Sequence, residues 1–550
     1  MSAREWQADV LVVGAGPVGL SAAMDLSARG AKVIVAETRA YMEPPNVKCN
    51  HVAARTMERF RRLGVARKLR DAGLPADFPN DVAFRTSVTG IELSRIPIPS
   101  RSERYTSREG PDTWWPTPEP PHRINQLFLE PILLEHTAHL PGVRLLNRTQ
   151  VTGFTQHAGG VEAHALDLQS NEEMRIGARF LVGCDGGGST IRKAIGAKLE
   201  GTPVIQRVQS TYIRAPRLRS LIPGKVAWCT YAVNPRRCGT VFAVDGHETW
   251  LVHNHLNPHE PEFDSIDRDG SIRNILGVGA DFDYEVISKE DWVGRRLVAD
   301  RFRDGNVFIA GDAAHLWVPY AGYGMNAGIA DALNLTWLLG AVLQGWGDNA
   351  MLDAYEAERQ PITQQVSQFA MEHAARMIRA RSAVPGNIEA LDEAGQRERE
   401  RIGREAYELN VQQFCCAGLN FGYFYEDSPI IEPDGEDPPP YTMGDFSAST
   451  VPGCRAPHFW MADGTSLYDA LGPGYTLLQF DERADVSGLM EVAGARGMPL
   501  KVVAVQADDV PSAYRHKLVI VRDDEHVAWR GDSLPENSAN LVAKLCGVRS

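Results

Sequence analysis

Gly14, Gly16 and Gly19 stand in the spacing Gly-x-Gly-x-x-Gly, and an acid, Glu37, follows about 20 residues later. Such a turn suits a diphosphate. The first glycine allows the tight bend, the second lets backbone come close to the phosphates, and the third lets a helix pack on its strand. Pro17 falls near the first helical turn, where its missing N–H costs little. The helix start then offers free N–H groups and a positive dipole end to an anion. Glu37 is placed to accept from ribose hydroxyls, and its charge disfavours a 2′-phosphate there. Two more acid-and-glycine groups follow: Asp185 with Gly186 to Gly188, and Gly311-Asp312 followed by Gly322, Gly324, Met325 and Asn326. A carboxylate at a strand end can hold a polyol hydroxyl. A helix opening beside it favours negative charge on a bound ring.

Each group needs an element to aim it. Val10 to Val13 is a short apolar run of the kind that forms a strand buried on both faces. With a helix after it and a second strand ending at Glu37, residues 8–37 read as a βαβ unit for a dinucleotide, FAD or NAD rather than NADP. Ala178 to Ala194 reads as strand, Asp-Gly turn and helix start; Val307 to Ala310 reads as a buried strand before a long helix. From Val208 to Leu256 the pattern changes to short strands joined by the turn signals Asn234-Pro235 and Asp245-Gly246. That predicts an antiparallel sheet inserted in the nucleotide-binding unit, a natural substrate platform.

The chain has 550 residues, 43% of them hydrophobic, which is enough for two to four domains. Its net charge of −13 gives no basic excess, so no nucleic-acid partner is expected. No apolar signal core precedes the first strand, and the apolar stretch Trp337 to Trp346 reads as too short to cross a bilayer. The expected location is the cytoplasm. None of the eight cysteines forms a C-x-x-C pair, and His253 and His255 lack a third ligand, so no metal site is expected.

Asn50 to Leu63 has helical spacing with basic residues between the apolar ones. Either it is a solvated face, or Lys48 or Arg55 reaches toward the dinucleotide or orders its loop. Residues 386–412 read as a charged, exposed helical segment, and the acidic, proline-rich run 432–440 as a linker.

Together GAGPVGL, VGCDGGGSTIR and IAGDAAHLWVPYAGYGMNAGIADALNL resemble, in order and spacing, the single-component FAD-dependent aromatic hydroxylases of the para-hydroxybenzoate hydroxylase and phenol hydroxylase family. The resemblance implies an α/β fold with a Rossmann-like FAD-binding domain, an inserted and mainly antiparallel substrate sheet, and a C-terminal thioredoxin-like α/β domain. The divisions expected are 1–80, 120–200 and 296–370 for FAD; 81–119 and 201–295 for substrate; 371–440 for helices and linker; and 441–550 for the tail.

By position, Gly14, Gly16, Pro17, Gly19 and Glu37 match the ADP-half contacts, and Asp312 the acid beside the ribitol. Gly324, Met325 and Asn326 match the turn next to the isoalloxazine, Gln126 a glutamine near the flavin, and Asp185 an Asp-Gly turn linked to FAD and NAD(P)H. Lys48 stands where the family usually has an arginine near the diphosphate. The tail has no C-x-x-C, so a structural or dimer-contact role is expected for it, with a homodimer as the assembly.

The implied activity is monooxygenation of a phenolic or catecholic ring with NADH or NADPH and O2, through a flavin C4a-hydroperoxide. Tyr231, in a stretch similar to one that touches the phenol oxygen, is the first catalytic candidate and His253 the second; His253 and Asn254 are expected to line the pocket. The position of the family's carboxylate-binding arginine falls near Val244, which favours an uncharged substrate. A flavin halogenase would share the nucleotide motifs but needs a Trp-x-Trp-x-Ile-Pro stretch that the chain lacks. A non-catalytic binder on the same fold is the remaining rival.

Overall fold

The computed structural model describes residues 4–48, 51–260 and 262–548. Among them, one sheet runs in spatial order Arg303–Asp304, Val307–Ile309, Glu173–Gly183, Arg4–Val13, Val33–Ala36, Val143–Leu146. From Val307–Ile309 to Val143–Leu146 the neighbours are parallel, and Val10 to Val13 and Val33 to Ala36 are buried throughout. Helix Pro17–Ala28 and the long helix Tyr323–Leu343 pack together at this sheet. The glycine-rich contact of Gly328 with Gly311 brings the two backbones within reach.

A second sheet is mainly antiparallel, in the order His315–Trp317, Glu285–Ala299, Leu199–Arg214, Thr249–His255, Gly239–Ala243, Cys229–Ala232, Val82–Arg85, Glu92–Ile96. Helix Arg268–Leu276 packs Ile272, Ile275 and Leu276 into the core of this unit. A third sheet orders Leu500–Ala504, Tyr475–Gln479, Leu518–Arg522 and Val527–Gly531, a parallel pair followed by an antiparallel hairpin.

Several expectations change. The apolar helix is Tyr323–Leu343, longer than the stretch Trp337 to Trp346 suggested. Its 21 residues are long and apolar enough to cross a membrane, but 89% of its apolar window is buried inside the protein. The apolarity is that of a helix surrounded by core on all sides. In the basic helix Ala54–Arg62 the residues through Phe60 are buried, and only Arg61 and Arg62 at its end are exposed. Arg55 donates to Asp524 O and lies 4.4 Å over the Tyr423 ring, and Arg59 pairs with Glu525 at 2.7 Å. These bonds dock the C-terminal sheet, and Asn50, the start expected for this helix, lies outside the described residues. The run 386–412 overlaps helix Glu393–Phe414, whose Asn410, Gln413 and Phe414 are buried. The acidic linker is tied to the tail by Arg530, which reaches Asp434 and Glu436 at 2.6 and 2.5 Å.

Burial also sets an acid limit on the fold. It lowers the imidazole pKa of His253 and His373 to about 4 and that of His122 to about 3, with nearby arginines adding to the effect at His122 and His373. The folded state therefore binds fewer protons than the unfolded chain below pH 6.5. Their stabilising contribution is complete above that pH and declines as pH falls toward 4. The expected result is an unfolding midpoint that drops between pH 6.5 and 4; a flat midpoint across that window would contradict the burial of these rings.

Candidate active site where three glycine turns meet

Register, more than any single residue, builds the site. Val13 is the partner of Ala36 and of Gly183, and Gly183 is the partner of Ile309. The ends of four parallel-facing strand segments are thus level, and the turns that leave them, at Gly14, Glu37, Cys184-Asp185 and Gly311-Asp312, stand side by side. Ligands of open parallel sheets bind at this carboxyl edge.

The glycines show why no other residue fits. Gly14 has φ +104°, and a Cβ there would press into Cys184 O with Asp185 N at 3.2 Å. A Cβ on Gly19 would overlap Gly14 O. Gly16 differs: its backbone is ordinary, φ −74° and ψ 178°, and nothing lies within 4 Å of a Cβ built on it. The fold itself does not need glycine at 16, and the open space there is where a diphosphate would lie. This cradle, with the N-termini of Pro17–Ala28 and Tyr323–Leu343 behind it, fits FAD.

Glu37 belongs to a chain of positioned groups. Its carboxylate accepts from Ala15 N at 2.7 Å and Arg39 N at 2.9 Å. Burial would raise its pKa, but these bonds and the Arg39 guanidinium hold it below the usual value. Arg39 pairs with Glu130 at 2.5 Å, and Glu130 accepts from Gln126 Nε2 at 2.8 Å, so two expected residues are joined by two that the motifs did not mark. Lys48 O accepts from Gln126 N at 3.2 Å, while Lys48 Nζ pairs with Glu290 at 2.9 Å. The lysine thus ties the loop before Gln126–Ala138 and the first βαβ unit to the second sheet.

Asp312 is exposed by area yet walled by protein, the condition of a cleft floor. Desolvation raises its pKa against the opposing fields of His315 and Lys48. Beneath it, buried Asp331 on the long helix accepts from His315 Nε2 at 2.6 Å, Arg359 Nε at 2.9 Å and Gly311 N at 3.4 Å. Burial works against that carboxylate, but His315 and Arg359 keep it ionised below its usual range. The triad had no spacing signal in the sequence, because its members come from one strand and two helices.

Gly322 caps the long helix at φ +61°, so Gly324, Met325 and Asn326 lie in its first turn. Met325 packs against the main core. The Asn326 carboxamide is engaged by Ala53 N at 2.8 Å and by His51 O at 3.1 Å. It staples the 51–53 loop to the helix, which leaves the helix N–H groups, rather than that side chain, to face a ligand. Asp185 likewise caps its own helix, accepting from Thr190 N at 2.7 Å. That bond is the plain-turn role. A Cβ built on Gly187 would lie 3.1 Å from Leu316, so the same turn packs next to the third motif.

On the second sheet, register places Phe84, Tyr231, Thr240, His253, Ser210 and Glu290 in one row across six strands, hence on one face. Tyr231 stacks on Phe84 at 5.0 Å, and Gln413 Nε2 donates to its hydroxyl at 3.3 Å. Desolvation, then Cys229 and Tyr320, push the Tyr231 phenol well above its ordinary value despite Gln413. It can donate or relay a proton but does not stand as a phenolate base. His253 packs between Phe242 and Trp292 at 5.4 and 5.8 Å, neutral by burial. Asn254 points to the opposite face, bonded to Gln209 at 2.8 Å, and so does not line this wall. Trp228, Gln413 and Phe414 complete it; the last two end helix Glu393–Phe414, just past the charged run 386–412. Among the described residues no cluster could hold a metal, and the seven cysteines are free.

Comparison with known proteins agrees with this geometry. The family described as FAD binding domain matches residues 7–370, and that described as aromatic-ring hydroxylase, C-terminal, matches 449–547. The chain is 30% identical to aklavinone 12-hydroxylase RdmE of Streptomyces purpurascens, covering 99% of this chain and 98% of the relative. It is 28% identical to phenol 2-monooxygenase of Pseudomonas sp. (strain EST1001), covering 99% and 93%. The solved structure of RebC, soaked with chromopyrrolic acid and holding 7-carboxy-K252c, superposes with TM-score 0.90 at 33% identity over 99% of this chain and 100% of that one.

Proposed function

The chain belongs to the FAD-dependent aromatic-ring hydroxylases, and from that membership we propose that it hydroxylates a phenolic or catecholic ring laid on the Tyr231 face, using NAD(P)H and O2. The observation that carries the reading is the level register of Val13, Gly183 and Ile309, with Lys48–Glu290 joining that edge to the Tyr231 row. Reduced FAD, when bound, supplies the activation of O2 and delivers one oxygen atom. The protein binds the dinucleotide at Gly14 to Gly19, Glu37 and Asp312, supports Asp312 through Asp331, and presents the first N–H groups of Tyr323–Leu343 to the flavin ring. The aromatic wall of Phe84, Trp228, Phe242 and Trp292 keeps water from the reacting ring. Tyr231, fixed by Gln413, is within the wall to hydrogen-bond the substrate hydroxyl and pass its proton on.

The reading includes the divisions 1–80, 120–200 and 296–370 for FAD and 81–119 and 201–295 for substrate, supported by the two separate sheets. It includes a thioredoxin-like tail, supported by the strand order of the third sheet. A cytoplasmic location is supported by free thiols, and a homodimer by Trp460, 52% exposed on the tail.

The test is a panel of phenols and catechols scored for acceleration of NAD(P)H oxidation, with the mass of the product measured. A gain of one oxygen atom supports the proposal; halogen incorporation, or no acceleration by any member, rejects it. Tyr231→Phe is expected to slow hydroxylation by about a hundredfold while FAD affinity stays within about twofold. Because the Tyr231 proton is held tightly, the wild-type profile should show no rise from tyrosine ionisation below pH 10. Unchanged coupling in the phenylalanine variant would remove Tyr231 from the mechanism.

A further inference from the structure

Arg123 is 4% exposed, on the strap that leads into helix Gln126–Ala138. Its guanidinium lies 4.5 Å over the Trp228 ring and 5.9 Å from the centre of Phe414, so it rests against the aromatic wall just described. One terminal nitrogen, Nη1, donates to His51 Nδ1. His51 in turn touches the helix cap at Gly322, where a Cβ would lie 3.1 Å from its own. Arg123 thus stands between the flavin turn and the substrate wall.

The other two nitrogens, Nε and Nη2, are buried without any hydrogen-bond partner. That is costly for a charged donor: leaving it unpaired forfeits its full desolvation energy. Nor is its charge matched. The carboxylate in its field, Asp112, is engaged by Arg104 at 2.8 Å and by Trp115 Nε1 at 2.8 Å. Burial acts against the Arg123 cation, and the field of Asp112, opposed by Arg104, does not offset it. Nε and Nη2 present the two parallel N–H bonds that match a carboxylate, flanked by aromatic rings that match the rest of a flat ligand.

We propose that Arg123 is an anion subsite of the substrate face, and that the substrate carries a carboxylate, or an equally acidic oxygen group, on its aromatic framework. The inference rests on the hydroxylase reading and deepens it. It also replaces the expectation of an uncharged substrate, which followed from the alignment near Val244: the cation enters from the FAD-side strap instead of the sheet.

The probes are 1-hydroxy-2-naphthoate and its carboxamide, titrated into the FAD-loaded protein and followed by the change in flavin absorbance. Wild type is expected to bind the carboxylate at least about tenfold more tightly than the carboxamide, the effect of one charge-assisted pair. Arg123→Met keeps the stem on Trp228 and should abolish that preference while holding carboxamide affinity within about threefold; Arg123→Lys should restore part of it. If Arg123→Met fails to load FAD, the wild-type ratio alone decides. Equal affinities for the two probes, both perturbing the flavin, would overturn the anion subsite and leave the hydroxylase reading intact. No perturbation by either probe would overturn both.

Discussion

Gly14→Ala and Gly16→Ala are expected to part company: both lose FAD, but only the first damages the fold. Alanine at 14 must adopt φ +104° and push its Cβ into Cys184 O, so the ends of Arg4–Val13 and Glu173–Gly183 can no longer stay level. Strain of that kind costs about 1–3 kcal/mol before any overlap is counted. The purified variant should be less stable and colourless, with FAD affinity down by at least about a hundredfold. At 16 the backbone already suits alanine and the space is open. The apoprotein should therefore unfold within about 0.5 kcal/mol of wild type. Its added methyl fills the volume where the diphosphate would lie, so the flavin absorbance should be missing here too. A Gly16→Ala protein that retains FAD at wild-type affinity would move the diphosphate elsewhere.

Arg522→Met should destabilise the protein by about 3–5 kcal/mol, the usual loss when one partner of a buried ion pair is removed. Arg522 is fully buried in the turn side of the third sheet and reaches Glu358 at 2.5 and 2.8 Å and Asp524 at 2.8 Å. Its guanidinium lies 4.9 Å over the ring of Trp337 on the long helix. Ser428 and Asn334 complete the shell of Glu358 at 2.5 and 2.8 Å. Methionine fills most of the volume but leaves two carboxylates without their cation. Glu358→Gln on that background removes one of the charges and should recover part of the loss, a non-additivity that packing alone would not produce. Chemical denaturation of the FAD-loaded proteins measures both; an unfolding midpoint equal to wild type in Arg522→Met would show that the interface is held by Trp337 and Tyr475, 5.9 Å apart, and not by charge.

The nucleotide half of the site was legible in the chain because its constraints are local. Gly14, Gly16, Gly19 and Glu37 serve one strand–helix–strand unit, and the buried β-branched runs Val10–Val13 and Val33–Ala36 announce it. The strands around Tyr231 were legible too: the run read as short strands from Val208 to Leu256 holds Cys229–Ala232, Gly239–Ala243 and Thr249–His255. Arg123, Asp331, Arg359 and Gln413 gave no such signal. Each sits on an element whose own pattern explains it, and each acquires meaning only from a partner far along the chain: Gln413 from Tyr231, Arg359 from Asp331 and His315.

Charge in particular misled. A run of arginines from 55 to 62 reads as a wet surface, since an unpaired cation belongs in water. The acids that make its burial tolerable, Asp523 and Glu525, lie at the other end of the sequence. Sequence alone determined the cofactor class and the edge that holds it, because backbone geometry at a diphosphate leaves glycine no substitute. The tertiary structure decided which charges are paired and which side chains share one face of the second sheet, because long-range register and burial set those energies.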